Sequence, residues 1–251
     1  MLESILAPIY ENGYGGFIYN SFLIIGFLVA FAFNLWYCEK YGISKKQACI
    51  TIISAFSILV IWVYVLSWAE TGFKSFGNKD LARGVVYVPL AVYPASRILC
   101  IKWKKACDLI APCVCIFQGI SHWGCIFTAC CRGFECDWGI YNPALGFNAF
   151  PSQPFEAITA LVIAIIVVIF AYRRKFETNG LAYPIMLMLF GSTRFLWEFA
   201  RDNEKIFLGC SSLALHALFM MIVGIIAFVE LKEKENKRLK RVHPHKRRKQ
   251  K

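Results

Sequence analysis

About seven apolar stretches, each close to the length that carries a helix across a bilayer, divide this sequence and leave little chain for a soluble domain. A hydrocarbon core of about 30 Å requires about 20 consecutive, mostly apolar residues in helical form. Runs of that kind cover residues 17–38, 48–68, 84–101, 109–131, 155–172, 181–199 and 211–231. Two of them are interrupted: Pro89, Pro94 and Arg97 fall in the third, and Gln118, Ser121 and His122 in the fourth. Such breaks persist in membranes only where protein or water satisfies the freed backbone groups. Composition agrees, since 58% hydrophobic and 18% charged residues do not provide a solvated surface. The residues before Phe17 lack the basic head of a cleavable signal, so the first run is expected to act as its own insertion signal.

The net charge of +12 would ordinarily suggest nucleic acid, but the Lys and Arg residues sit in short clusters between apolar runs, where they read as topology signals. Lys40/Lys45/Lys46, Lys102/Lys104/Lys105 and Arg173/Arg174/Lys175 occupy the first, third and fifth connections, whereas the sixth holds only Lys205 beside Arg201. The second, with Lys74, Lys79 and Arg83, dissents mildly. The positive-inside rule then predicts an all-α integral membrane protein of about seven transmembrane helices, with the N-terminus outside and the C-terminus cytoplasmic. Residues 1–231 form the membrane domain and 232–251 a basic cytoplasmic tail, which either lies against anionic headgroups or is a disordered tail without a partner. The loop 132–154 and the loop after Arg201 face outward. No nucleic-acid partner is expected.

Two groups of residues carry chemistry. In Phe190-Gly-Ser-Thr-Arg194-Phe-Leu-Trp-Glu198-Phe-Ala-Arg201, spacings of four and three put Arg194, Glu198 and Arg201 on one helical face. Ionisable groups at membrane depth are costly and face polar interiors, so a guanidinium here suits a lipid phosphate. The bland reading pairs Arg194 with Glu198 to hold helices together and lets Arg201 snorkel to the headgroups. The second group runs from Ser121-His122 through Cys125, Cys130, Cys131 and Gly133 to Cys136. His122 and the cysteines are of the types that bind zinc, but no CxxC pair is present, and neither a metal nor any cofactor is expected. A disulfide among Cys130, Cys131 and Cys136, or ordinary packed thiols, both remain open. His122 serves either as a general base near neutral pH or as a hydrogen-bonded structural histidine.

Several ordered segments resemble the bacterial prolipoprotein diacylglyceryl transferase family. Phe190 to Arg201 resembles its YGxxRFxxExxR segment with Phe190 for the tyrosine, and Phe150-Pro-Ser-Gln-Pro-Phe-Glu156 resembles its HPSQLYE motif. Asp108 to Pro112, then Gly124 and Gly133, follow the order of DxxAP and GRxGNFxNxExxG. Tyr19, seven residues before Gly26, stands where the family has a functional tyrosine in YGLMYxxG, and Ser211, Met220 and Gly224 agree with its last helix. The resemblance implies transfer of a diacylglyceryl group from phosphatidylglycerol to a cysteine thiol of a lipoprotein precursor, in the bacterial inner or cytoplasmic membrane, without metal or cofactor. It implies catalytic roles for Arg194, Glu198, His122 and Tyr19, and substrate binding by Arg201, Gly133, Ser152, Gln153 and Glu156.

The sequence also departs from the pattern. His122 replaces arginine, Cys125 asparagine and Cys130 glutamate; the HGG motif has no counterpart around Gly84 to Pro89, and Phe134 to Ala149 is no clear match. The alternative is therefore a non-catalytic lipid-binding or accessory membrane protein of the same fold. A transporter is disfavoured, because no repeated half is evident.

Overall fold

In lipid every backbone N–H and C=O must be satisfied within the chain, and apolar runs without interior breaks meet that demand as helices. The computed structural model describes residues 2–70, 72, 74, 82–143, 145–177, 179–203 and 209–242, and it is mostly helical. Five helical stretches are long and apolar enough to cross a membrane: Gly15–Tyr41, Lys45–Ala69, Trp103–Thr128, Ser152–Arg173 and Ser212–Arg238. In chain order the helices are α1 (Leu2–Glu11), α2 (Gly15–Tyr37), α3 (Lys45–Glu70), α4 (Ala82–Val85), α5 (Val88–Ile98), α6 (Trp103–Ser121), α7 (Ser152–Arg173), α8 (Ala182–Glu198) and α9 (Ser212–Val242). Hydroxyls on these helices donate to their own backbone, as Ser54 does to the Ile50 carbonyl at 2.8 Å and Thr159 to the Phe155 carbonyl at 2.6 Å. That bonding hides them from lipid.

Helix α6 is the centre of the bundle, with Ala106 through Cys115 buried and α2, α5, α7 and α8 packed around it. The outer helices turn Ile24, Leu28, Ile158, Val162, Ile165 and Ile169 outward, as a lipid-facing surface requires. Asp108, buried in the second turn of α6, accepts hydrogen bonds from the backbone N–H of Gly180 at 2.8 Å and Tyr183 at 3.1 Å. The carboxylate thereby caps the N-terminus of α8, where orphan donors and the helix dipole both favour negative charge. Helix α8 is pressed against α9: a Cβ on Gly191 would lie 2.8 Å from the Ala217 carbonyl oxygen, and one on Gly224 would lie 2.9 Å from Met188. Small residues at such crossings let two backbones approach.

Three expectations change. The third run is not one span but α4 and α5, of four and eleven residues, because the chain breaks at Val86–Tyr87 and restarts with Pro89 in the first turn of α5. The sixth run is α8, whose 17 residues stand at the lower limit for a crossing helix and outside the five long stretches. The chain is also not wholly α: the loop 132–154 contains an antiparallel hairpin, β1 (Glu135–Asn142) with β2 (Phe147–Ala149). Arg83, counted among the loop charges, lies within α4 at 2% exposure. The tail is helical as far as Val242, and Lys79, Lys205 and residues 243–251 lie outside the described residues.

Candidate active site

At Ser121 helix α6 tightens into a 3₁₀ segment, His122–Thr128, in which residues three apart eclipse one another. His122 and Cys125 therefore share one face. Ala129 and Cys131 follow at φ 52° and 56°, left-handed conformations that reverse the chain back toward that face. Tyr10 on α1 donates to the Ile126 carbonyl and accepts from the Asn142 amide of the hairpin, so the N-terminal helix and the hairpin together brace this turn from outside. Close packing holds the turn from below, where a Cβ on Gly124 would meet Tyr19 and Phe22 at 3.0–3.2 Å.

Glu156 is the hub. Arg201 donates to it from Nε at 2.6 Å and from Nη2 at 2.7 Å, His122 Nε2 lies 3.3 Å away, and Arg194 Nη1 lies 3.5 Å away. Arg194 also pairs with Glu198 at 2.9 Å, one turn along α8. Glu198 in turn accepts from the Ser211 hydroxyl at 2.7 Å and from the Asn203 amide. All five charged or titratable side chains are almost wholly buried, and the two guanidinium groups balance the two carboxylates. At this depth an unbalanced charge would cost several kcal/mol, on the order of 3, so the closed tally is what lets the cluster exist. His122 Nδ1 points the other way, 2.9 Å from the Gln118 amide nitrogen and 3.9 Å from Cys125 Sγ.

The Pro-Ser-Gln segment positions the loop rather than the ions. Ser152 Oγ donates to the Cys131 carbonyl at 2.5 Å and Gln153 Nε2 to the Cys130 carbonyl at 2.9 Å, which staples the start of α7 to the end of the 3₁₀ turn. Glu156 lies one turn further on the same face. Gly133 pairs with Arg201 as an isolated β-bridge, and a Cβ there would lie 2.5 Å from the Phe150 carbonyl oxygen. Arg201 is thus fixed by backbone as well as by side chain.

The ion cluster opens on a cavity of about 1240 Å³ between α2, α3 and the end of α6. That exceeds the roughly 300–1,000 Å³ typical of sites for drug-sized molecules. Its far wall is apolar, with Phe27, Phe56, Leu59, Val63 and Phe117, and its charged end presents His122 and Arg201. Tyr19 lines it; Arg194, Glu198 and Glu156 do not. The arginine that meets the cavity is therefore Arg201, and Arg194 stands in the layer that holds Glu156. At the rim, the Cys130 thiol is drawn below its ordinary pKa by hydrogen bonds from Cys125 first and then Cys131, against the effect of burial, with help from the Thr128 hydroxyl and the charge of Arg201.

Sequence spacing missed Gln118, Asn203 and Ser211. Gln118 stands four residues before His122 on the same helix, and that spacing was sufficient to find it. Asn203 and Ser211 reach Glu198 across a connection, which no local pattern encodes. The fold also gathers His122, Cys125 and Cys131 so that one ligand atom of each lies within 4.8 Å of the others. No CxxC spacing foreshadowed it, because the 3₁₀ turn and the left-handed residues do the gathering.

Membrane-crossing helices around a buried, charge-balanced cluster that opens on a largely apolar cavity define a polytopic membrane protein with an amphiphile-shaped site. Residues 17–230 match the family model for prolipoprotein diacylglyceryl transferase, and the chain belongs to that family. It is 26% identical over 181 residues to phosphatidylglycerol--prolipoprotein diacylglyceryl transferase 2 of Clostridium perfringens (strain 13 / Type A), covering 68% of this chain and 70% of that protein. It is 27% identical over 165 residues to the phosphatidylglycerol--prolipoprotein diacylglyceryl transferase of Clostridium tetani (strain Massachusetts / E88), covering 60% and 65% respectively. The corresponding transferase of Finegoldia magna (strain ATCC 29328 / DSM 20472 / WAL 2508) is 22% identical over 218 residues, 77% of this chain and 86% of that protein.

Proposed function

We propose that this chain transfers the diacylglyceryl group of a phospholipid, phosphatidylglycerol by the names of its relatives, to the thiol of a cysteine in a lipoprotein precursor. The observation that carries the reading is the cavity itself: an apolar chamber suited to acyl chains, closed at one end by His122 and Arg201. The chemistry needs two things there. Negative charge gathers on the departing glycerol phosphate, and a guanidinium aimed at it supplies stabilisation where water is excluded. Arg201 is that group, with Glu156 and Arg194 holding it in place and Glu198 holding Arg194. The incoming thiol must also lose its proton, and His122, at the same end of the cavity, serves that step. Tyr19, which also lines the cavity, supplies a hydroxyl to orient the lipid. Gly133, Ser152 and Gln153 act by fixing the loop against which the headgroup lies.

In this reading the protein sits in the bacterial cytoplasmic membrane with the site toward its outer side, the N-terminus outside and the C-terminus inside. The count of about seven crossings then includes α4–α5 and α8, which complete their passages against neighbouring helices. One observation favours the non-catalytic alternative: both arginines are already engaged by carboxylates. Transfer chemistry requires Arg201 to share its charge between Glu156 and a phosphate.

The test is complementation of bacteria depleted of their own diacylglyceryl transferase, following the mass of a reporter lipoprotein. The expected result is a gain of one diacylglyceryl group with the native chain and a loss of at least a hundredfold in rate with Arg201→Ala, at equal protein in the membrane. An unmodified reporter despite normal membrane levels would leave the accessory reading standing.

A further inference from the structure

His122 has an arginine as hydrogen-bond partner, and that decides which ring nitrogen carries the proton. Arg201 Nη2 lies 3.1 Å from His122 Nε2 and 2.7 Å from Glu156 Oε2. A guanidinium has donors only, so one Nη2 proton goes to the carboxylate, the other goes to the imidazole, and Nε2 meets it with a lone pair. The ring is therefore neutral, with its proton on Nδ1. An Nδ1–H needs an acceptor, and a half-turn of the Gln118 amide, whose nitrogen stands 2.9 Å away, presents the amide oxygen there. In this state Nε2 takes no proton, because Arg201 occupies its lone pair. It also faces Glu156 Oε2 at 3.3 Å, two acceptors with no proton between them.

The groups around His122 come from every side. Helix α7 supplies Glu156, with Arg194 of α8 behind it, and the segment after α8 supplies Arg201. Cys125, Cys130 and Cys131 come from the turn, and Tyr19 of α2 shares the cavity wall. With the ring neutral, two guanidinium groups balance two carboxylates. A phosphodiester that enters the cavity adds one negative charge to this buried set, and an uncompensated charge there is costly. Turning the Nη2 edge of Arg201 toward that phosphate uncovers Nε2 and loosens the hold on Glu156. A proton on Nε2 repairs both losses: it cancels the added charge and donates to Glu156 Oε2 across the existing 3.3 Å gap. We propose that Arg201 blocks His122 until an anionic phospholipid headgroup draws it aside, so that lipid binding and protonation of His122 Nε2 are one coupled event and the lipid precedes the acceptor.

This inference rests on the transferase reading and gives its two substrates an order. The imidazolium is the partner against which the acceptor sulfur stands as thiolate. Its proton comes either from that thiol or from solvent, and in the second case the thiol returns its own proton to solvent. The sulfur bonds to the glycerol carbon that carries the phosphate, and the carbon–oxygen bond breaks with its electron pair on the phosphate oxygen. The products are a thioether and glycerol phosphate, which leaves with the Nε2 proton as Arg201 returns to His122. No oxidant or reductant is consumed.

Purified full-length protein in a non-ionic detergent is titrated with short-chain phosphatidylglycerol by calorimetry, slightly above neutral pH, in two buffers of different ionisation enthalpy. The difference in heat counts protons. The expected result is uptake of about one proton per lipid bound, with an affinity that falls by up to about tenfold for each unit rise in pH. Diacylglycerol, which lacks the phosphate, should bind without uptake. Glycerophosphoglycerol, the headgroup diester without acyl chains, should give uptake at far weaker affinity; affinity equal to that of the lipid would overturn the lipid as the source. His122→Gln should abolish uptake, while His216→Gln, on α9, should keep it. Lipid binding without proton uptake overturns the coupling, as does equal uptake in His122→Gln or with diacylglycerol. Should His122→Gln fail to accumulate, the comparison of the two lipids on the native chain decides alone. Uptake as expected with an unmodified reporter in cells supports the coupling and counts against the transferase reading; a modified reporter without uptake does the reverse.

Discussion

At the scale of single residues, Glu156 is the side chain on which the others depend, because it joins two arginines and a histidine that are all almost wholly buried. Removing one partner of a buried ion pair leaves an uncompensated charge and typically costs about 3–5 kcal/mol. Glu156→Gln keeps the shape but leaves Arg194 and Arg201 facing one carboxylate, so a loss of about 3 kcal/mol is expected, read as a lower unfolding temperature in detergent. Conversion of Gly133 to Ala should act differently. The added methyl meets the Phe150 carbonyl and ring, and strain of about 1–3 kcal/mol would fall on the bridge that carries Arg201. Transfer activity should drop more than thermal stability does. Much of this site was legible in the chain: the spacing of Arg194, Glu198 and Arg201 put three members on one face. What spacing left open was the division of labour. Whether Arg194 or Arg201 meets the cavity depends on how α7 and α8 pack, and that is decided by contacts far apart in sequence.

At the scale of elements, the fold uses a few polar anchors to set helices whose apolar faces would tolerate sliding. Asp108 is the clearest of them, since its two backbone acceptor bonds fix where α8 begins and hence how high Arg194 and Glu198 ride. Asp108→Ala removes the cap and should cost about 1–2 kcal/mol. Hydrogen exchange at Gly180 and Tyr183 should rise while exchange in α7 is unchanged. The helical runs were readable from hydropathy alone because length and apolarity decide them. The interruption near Pro89 was marked by the prolines themselves, but the hairpin was not readable, because it follows from how the loop 132–154 meets neighbouring elements.

At the scale of the molecule, orientation is the testable matter. With the basic connections inside, Asp137 on the hairpin and Cys100 after α5 lie on opposite sides of the membrane. A membrane-impermeant maleimide applied to intact spheroplasts should label Asp137→Cys and leave Cys100 unlabelled until the membrane is opened. The reverse pattern would invert the topology. The positive-inside reading depends on few residues, and Arg83, buried in α4, remains one of the charges that count against it.

Helix α9 has 31 residues, which at about 1.5 Å per residue is about 46 Å of rigid rod against a hydrocarbon core of about 30 Å. Glu235 pairs with Arg174 at the end of α7, which ties α9 to that helix and opposes sliding along its axis. The helix is in effect a mast longer than the hydrocarbon core is thick, so part of its length, up to Val242, extends past that core. Shortening α9 by one turn beyond Glu235 would shorten the rod by about 5 Å and leave the Arg174–Glu235 pair undisturbed.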